Sequence, residues 1–223
     1  MSLFDKFKKK DALNLENGNK KLNAIGWDAI TNACEQIYPT QKDPKHYATL
    51  INWKFGGNDP LEGISIYDAE GYWHFVTYGL SELFEKETSN KDISGYGMEF
   101  TFKLKKDDYK DEEAEIKCIC GILQSIARIT FTQGEVFNSY EYLYTGQTQG
   151  IDTKMQSNIT GFITIPDTDI SSITTPNGSV NFVEFIGLTD SELIALKSKE
   201  LTVKELYAKI GSDVTDYNRK SSM

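Results

Sequence analysis

Two imidazoles, His46 and His74, and three thiols, Cys34, Cys118 and Cys120, are the side chains best suited to metal or nucleophilic chemistry. Their spacing argues against both. Cys118 and Cys120 form Cys-x-Cys inside a stretch with helical periodicity. Residues two apart on a helix point about 200° apart around the axis and do not readily share one ion. No zinc-type spacing joins them to either histidine. His74 stands in Tyr72-Trp73-His74-Phe75, and a strand histidine among aromatics is ordinarily packed or hydrogen-bonded. Asp107, Asp108, Asp111, Glu112 and Glu113 could supply an acid–base pair if two of them met in a cleft, but their run in a lysine-bearing turn reads as a solvated face. There is no Gly-x-x-x-x-Gly-Lys loop, no Gly-x-Gly-x-x-Gly opening a helix and no Gly-x-Ser-x-Gly elbow. Gly95-Tyr96-Gly97 precedes a strand, which suits a close backbone approach better than a phosphate cradle. The expectation from these residues is no catalytic residue, no metal and no cofactor.

The elements that must position these residues read as follows. Asp28 is an N-cap candidate for a helix carrying Ile30, Ala33, Cys34 and Ile37 on one face and ending before Pro39. Alternation over His46–Phe55 predicts a strand that meets a turn at Gly56-Gly57-Asn58-Asp59-Pro60. Gly63–Tyr67 and Tyr72–Tyr78 form a hairpin across Asp68–Gly71, and Met98, Phe100, Phe102 and Leu104 alternate with Glu99, Thr101 and Lys103 as a half-buried strand. Ile116, Ile119, Cys120, Leu123, Ile126 and Ala127 share one face of a long helix over Glu112–Thr130, with acidic residues at the positive end of its dipole. Ile159–Ile165 and Val180–Ile186 are further strands around a turn at Pro176-Asn177-Gly178. Two closing helices begin with capping boxes, Thr189-x-x-Glu192 and Thr202-x-x-Glu205, and Gly211 stops the second. The order implies an α+β single domain over residues 24–220, a mostly antiparallel mixed sheet flanked by helices, preceded by a basic, flexible tail at 1–23.

The chain has 223 residues, 39% of them hydrophobic and 12% aromatic. At that size it can bury its own core without disulfide or metal staples. Charge is unevenly spread. Residues 1–21 hold six lysines against three acidic residues, which leaves eighteen basic and thirty acidic residues, −12, over 22–223. Such a body disfavours binding to nucleic-acid phosphates. Leu3, Phe4 and Phe7 beside lysines make an amphipathic turn too short to hold a membrane, and no window approaches the about 20 apolar residues of a spanning helix. Three sparse cysteines and no secretory leader point to the cytoplasm.

The segment Tyr72-Trp73-His74-Phe75-Val76-Thr77-Tyr78-Gly79-Leu80-Ser81-Glu82-Leu83-Phe84, followed by Ser94-Gly95-Tyr96-Gly97-Met98-Glu99-Phe100-Thr101-Phe102-Lys103-Leu104, resembles the core of the suppressor-of-fused family. Gly56–Tyr67, Thr174–Phe182, Gly187–Leu193 and Val214–Arg219 are similar to its flanking pieces, so the likeness runs over residues 26–220 and is greatest to the bacterial single-domain type. The resemblance implies a non-enzymatic binding module. In animal members a transcription-factor peptide adds as a strand between this domain and a second one; here the sequence ends at Met223, where the first would end. The single-domain likeness implies an immunity protein, or antitoxin, that neutralises a cognate toxin domain, and the acidic body suits a basic partner. The alternative is a scaffold that captures an extended peptide by β-augmentation. Phe84 and Asp92 lie where the animal family contacts its peptide, and are the expected partner-binding residues. Trp73, Phe75, Phe100 and Phe102 read as core.

Overall fold

The computed structural model describes residues 23–223, so the basic stretch at the N-terminus lies almost wholly outside the described residues. Helix α1, Ile25–Ile37, starts four residues earlier than a cap at Asp28 would set it. Its first amides need no side-chain cap, because Gly26 N and Trp27 N both donate to the Leu83 carbonyl, at 3.0 and 3.1 Å. Asp28 instead sits in the first turn, where a carboxylate complements the dipole.

Strand β1 covers Lys45–Ala48 only, and the predicted continuation to Phe55 does not form. Ala48 pairs with Gly63, the first residue of β2 (Gly63–Asp68), and one more bond, Thr49 N to the Glu62 carbonyl at 3.2 Å, ends the pairing. Asn52 then caps a 3-10 turn, Trp53–Phe55, by accepting from Lys54 N, and Gly56 ends it at φ 85°, a backbone conformation that costs glycine little. Strand β3, Tyr72–Tyr78, pairs with β2, and β4, Ile93–Lys105, pairs with β3.

Helix α2 spans Glu112–Gln133, capped by Asp111, whose carboxylate accepts from Ala114 N at 3.0 Å. Beyond it come β5 (Tyr142–Leu143), β6 (Ile159–Pro166), β7 (Ile173–Thr175) and β8 (Gly178–Thr189). The two-residue strand β5 and three-residue β7 carry too little alternation to be read from sequence. Helices α3, Asp190–Lys197, and α4, Val203–Ile210, close the described chain, each with its capping box in place and Gly211 at φ 68° after α4.

The strands make one mixed sheet in the order β1-β2-β3-β4-β8-β6-β5, with β7 beside the start of β8. Among the described strand pairs only β4–β8 is parallel, and its crossover contains α2 and β5 to β7. Alternation along β8 divides the core: Val183 and Phe185 join the cluster under α2, whereas Phe182, Ile186 and Leu188 face the side occupied by α1, α3 and α4. Trp73, Phe75, Phe100 and Phe102 are buried in the α2 cluster, as their alternation predicts. In one respect β4 departs from expectation. Glu99, Thr101 and Lys103 are buried too, because helices and loops cover both faces of the sheet, so this stretch of the strand is fully rather than half buried.

Candidate partner-binding surface

The polar face of β4 organises a loop. Glu99, with no exposed surface, accepts from Thr77 Oγ1 (2.8 Å), Gly79 N (3.0 Å), Ser81 N (2.9 Å) and Ser81 Oγ (2.6 Å). Burial pushes its carboxyl up to about 6, against the pull of these donors. Within the loop at residues 79–92, Glu82 accepts from the amides of Glu87 and Thr88, from Lys86 Nζ and from Gly95 N at the start of β4. Partial burial raises this carboxyl, and the lysine and three amides more than reverse it, to about 2. A Cβ on Gly95 would lie 2.7 Å from the Leu80 carbonyl oxygen. That oxygen accepts from Tyr96 N, so this glycine permits the close approach expected of it.

The β7–β8 hairpin clamps the loop from the other side. Asn177 Nδ2 donates to the carbonyls of Glu82 (2.8 Å) and Phe84 (3.1 Å), and Ser179 donates to the Asp92 carbonyl from both N and Oγ, each at 2.8 Å. Phe84 and Asp92 are thus brought to one hairpin. Their side chains differ: the Phe84 ring is half-buried against the α1 cluster, and the Asp92 side chain is exposed.

Beside this loop stands a feature that sequence reasoning missed. Leu50, Ile51 and Phe55 are 101%, 59% and 85% exposed, three large apolar side chains on one short segment. Lys54 Nζ binds Glu87 at 2.6 Å, joining that segment to the loop, while Trp53 packs edge-on against Phe131 of α2 with ring centroids 5.8 Å apart. The alternation that suggested a strand hid the knob. A usable signal was Asn52 two residues before Lys54 with Gly56-Gly57 behind, a capped turn rather than a continuing strand.

Two networks of titratable groups lie in the interior. His74 Nε2 is 2.9 Å from Asp167 Oδ2 and Nδ1 is 2.8 Å from the Tyr38 hydroxyl, with both side chains of the His74–Asp167 pair fully buried. Lys103 Nζ binds Asp213 (2.6 Å), Asp169 (2.9 Å), Thr168 (2.6 Å) and Glu184 (3.4 Å), on a side chain 1% exposed. Burial pushes the Glu184 carboxyl well up, and burial opposes the Lys103 charge, which its carboxylate neighbours restore. His74, Lys103 and Glu184 therefore sit beneath the cover of the sheet, away from dissolved substrate. Asp107, Asp108, Asp111, Glu112 and Glu113 are exposed, the solvated face expected. Cys120 packs in the core while Cys118 bonds the Ile151 carbonyl at 3.1 Å, and among the described residues no three His, Cys, Asp or Glu side chains gather to hold a metal. Nor, among those residues, is any helix long and apolar enough to cross a membrane.

Comparison with known proteins gives this geometry a family. The model of the suppressor of fused protein, SUFU, matches residues 57–220. The chain belongs to the suppressor of fused family. Suppressor of fused homologs of Homo sapiens and Mus musculus are each 28% identical over 181 residues, 75% of this chain and 36% of theirs, so the chain spans about a third of the length of the curated relatives it matches. A chain in the crystal structure of the Sufu–Fu complex superposes with a TM-score of 0.77 at 25% identity, covering 90% of this chain and 93% of that one. Drosophila Suppressor of Fused gives 0.76 at 26% identity, over 90% of this chain and 52% of that protein. A putative suppressor of fused homolog from Neisseria gonorrhoeae shares the fold, with a TM-score of 0.56 at 15% identity over 88% and 96% of the two chains. The suppressor of fused fold is a protein-binding fold, and the loop at 79–92 that Glu99, Glu82 and Asn177 hold in place lies within the part the family model matches.

Proposed function

We propose that the chain is a non-enzymatic binding module of the cytoplasm that acts as an immunity protein, binding and blocking a cognate, basic toxin domain. The observation that carries the reading is the exposed knob of Leu50, Ile51 and Phe55, joined by Lys54–Glu87 to the braced loop bearing Phe84 and Asp92. Interface energy concentrates in a few large side chains that fill a partner's pocket, and three exposed apolar side chains on one short segment offer such a contact. The surplus of acidic residues over 22–223 supports a basic partner, whose encounter it would accelerate. The burial of the His74 and Lys103 networks supports a role without catalysis. Co-expression with the toxic domain encoded beside the gene tests the reading: growth is expected to be rescued, and no rescue across all neighbouring toxin candidates overturns it.

A second reading, capture of an extended peptide of a regulatory partner by β-augmentation, is supported by the outer position of β5 in the sheet. Pull-down followed by mapping separates the two. A short unfolded segment as the bound part favours peptide capture, and a folded toxin domain as sole partner removes it.

A further inference from the structure

At the end of the sheet away from β1, a groove of about 800 Å³ runs between β5 and the α3–α4 connection. Leu196 and Val203 form its buried apolar base, Tyr140 and Tyr142 stand exposed on one wall, and Glu135 and Glu200 are exposed on its rim. Its charged lining is Glu135, Glu141, Glu200 and Glu205 against Lys199 alone.

Among the described residues no strand pairs with the outer edge of β5. Thr164 N donates to the Glu141 carbonyl at 2.9 Å. Hydrogen-bonded and non-hydrogen-bonded pairs alternate along an antiparallel ladder. Tyr142, opposite Ile163, is therefore a non-hydrogen-bonded position relative to β6 and turns its own N–H and C=O outward. One face of the Tyr140 ring is taken by Lys204 Nζ, 4.4 Å from its centroid, and no such contact covers the exposed ring of Tyr142 among the described residues. Tyr140 (φ 71°) and Lys199 (φ 61°), on opposite walls, are two of the three non-glycine residues with left-handed backbone among those described. Such conformations persist where the surroundings hold them.

We propose that this groove takes an extended, lysine- or arginine-bearing segment of the protein partner, added as a strand to the outer edge of β5. The outward N–H and C=O of Tyr142 begin the pairing, the Tyr142 ring and the rim carboxylates take the cationic side chains, and the apolar base takes the intervening residues. The charge excess selects a basic segment and rejects an acidic one. The proposal rests on the protein-binding reading and assigns it a second contact, separate from the knob of Leu50, Ile51 and Phe55.

The test uses the 223-residue chain, isotope-labelled for NMR, with three blocked octapeptides: alternating Lys and Val, alternating Glu and Val, and the Lys–Val peptide N-methylated at every residue. The Lys–Val peptide is expected to shift the amides of residues 140–143, the Glu–Val peptide to leave them unmoved, and N-methylation to weaken binding at least tenfold. The double variant Glu135→Lys/Glu200→Lys, with fold checked by circular dichroism, is expected to bind the Lys–Val peptide at least tenfold more weakly and to lose rescue in the toxin assay. Equal binding of the N-methylated peptide, shifts confined to other residues, or dimerisation of the chain through β5 overturns the proposal. Rescue by both wild type and double variant overturns this surface and leaves the immunity reading standing. Failure of the wild type to rescue overturns that reading, and the peptide arms then decide the groove alone.

Discussion

Glu99 is a carboxylate without exposed surface that ties down the start of a loop by accepting four hydrogen bonds. Because burial raises its folded-state pKa to about 6, the native chain holds that proton more tightly than the unfolded one. Its favourable contribution is therefore present at acid pH and is lost as pH rises from the ordinary 4.5 through 6. The stability difference between wild type and Glu99→Gln is expected to be largest below pH 4.5 and to shrink by about 2 kcal/mol by pH 7, read by urea denaturation at several pH values. Glu82 has the opposite sign: its carboxyl is held at about 2, so its contribution is lost as pH falls from 4.5 toward 2. At this scale the sequence motif located the loop, since Ser81, Glu99 and the glycines stand inside the matching run. It did not tell Phe84 from Asp92. Phe84 packs on the α1 cluster, so Phe84→Ala is expected to lower the melting temperature, whereas Asp92→Asn, at an exposed side chain, is expected to leave it unchanged.

At the scale of elements, local rules succeeded where the interaction is local. The capping boxes at Thr189–Glu192 and Thr202–Glu205 form as read, because donor and acceptor lie three residues apart. Thr202→Ala is expected to cost about 1 kcal/mol, measured by denaturation, with Thr202→Ser nearly neutral. At Gly95 a left-handed φ of 57° is added to an approach of 2.7 Å to the Leu80 carbonyl oxygen. Gly95→Ala is therefore expected to cost more, at least about 1–2 kcal/mol. Reading failed where the partner is distant. The start of α1 is set by the Leu83 carbonyl, fifty-seven residues beyond Gly26, and β1 stops where β2 begins. No window of a few residues contains either cause.

Across the whole molecule, a −12 body and an apolar knob make joint demands on a partner. Association with a basic toxin domain is expected to slow with rising ionic strength, as screening shortens the reach of the field, and stopped-flow mixing at several salt concentrations checks this. Leu50→Ala with Phe55→Ala is expected to leave stability within about 0.5 kcal/mol, because neither side chain is buried. The same pair is expected to weaken the partner complex at least tenfold through its dissociation rate, readable by surface plasmon resonance. Unchanged affinity removes the knob from the interface.

The sequence by itself determined the class of the fold, the core faces of β3, β4 and α2, the family and the loop around which its motif is built. These follow from alternation, helical period and a contiguous motif, which are properties of residues near one another in the chain. Only the tertiary structure decided that Glu99 and Lys103 are buried, that Leu50, Ile51 and Phe55 are not, and that β5 ends the sheet beside an acidic groove. Burial and edge position depend on which distant segments arrive to cover a face or pair with a strand, and chain neighbours do not record that.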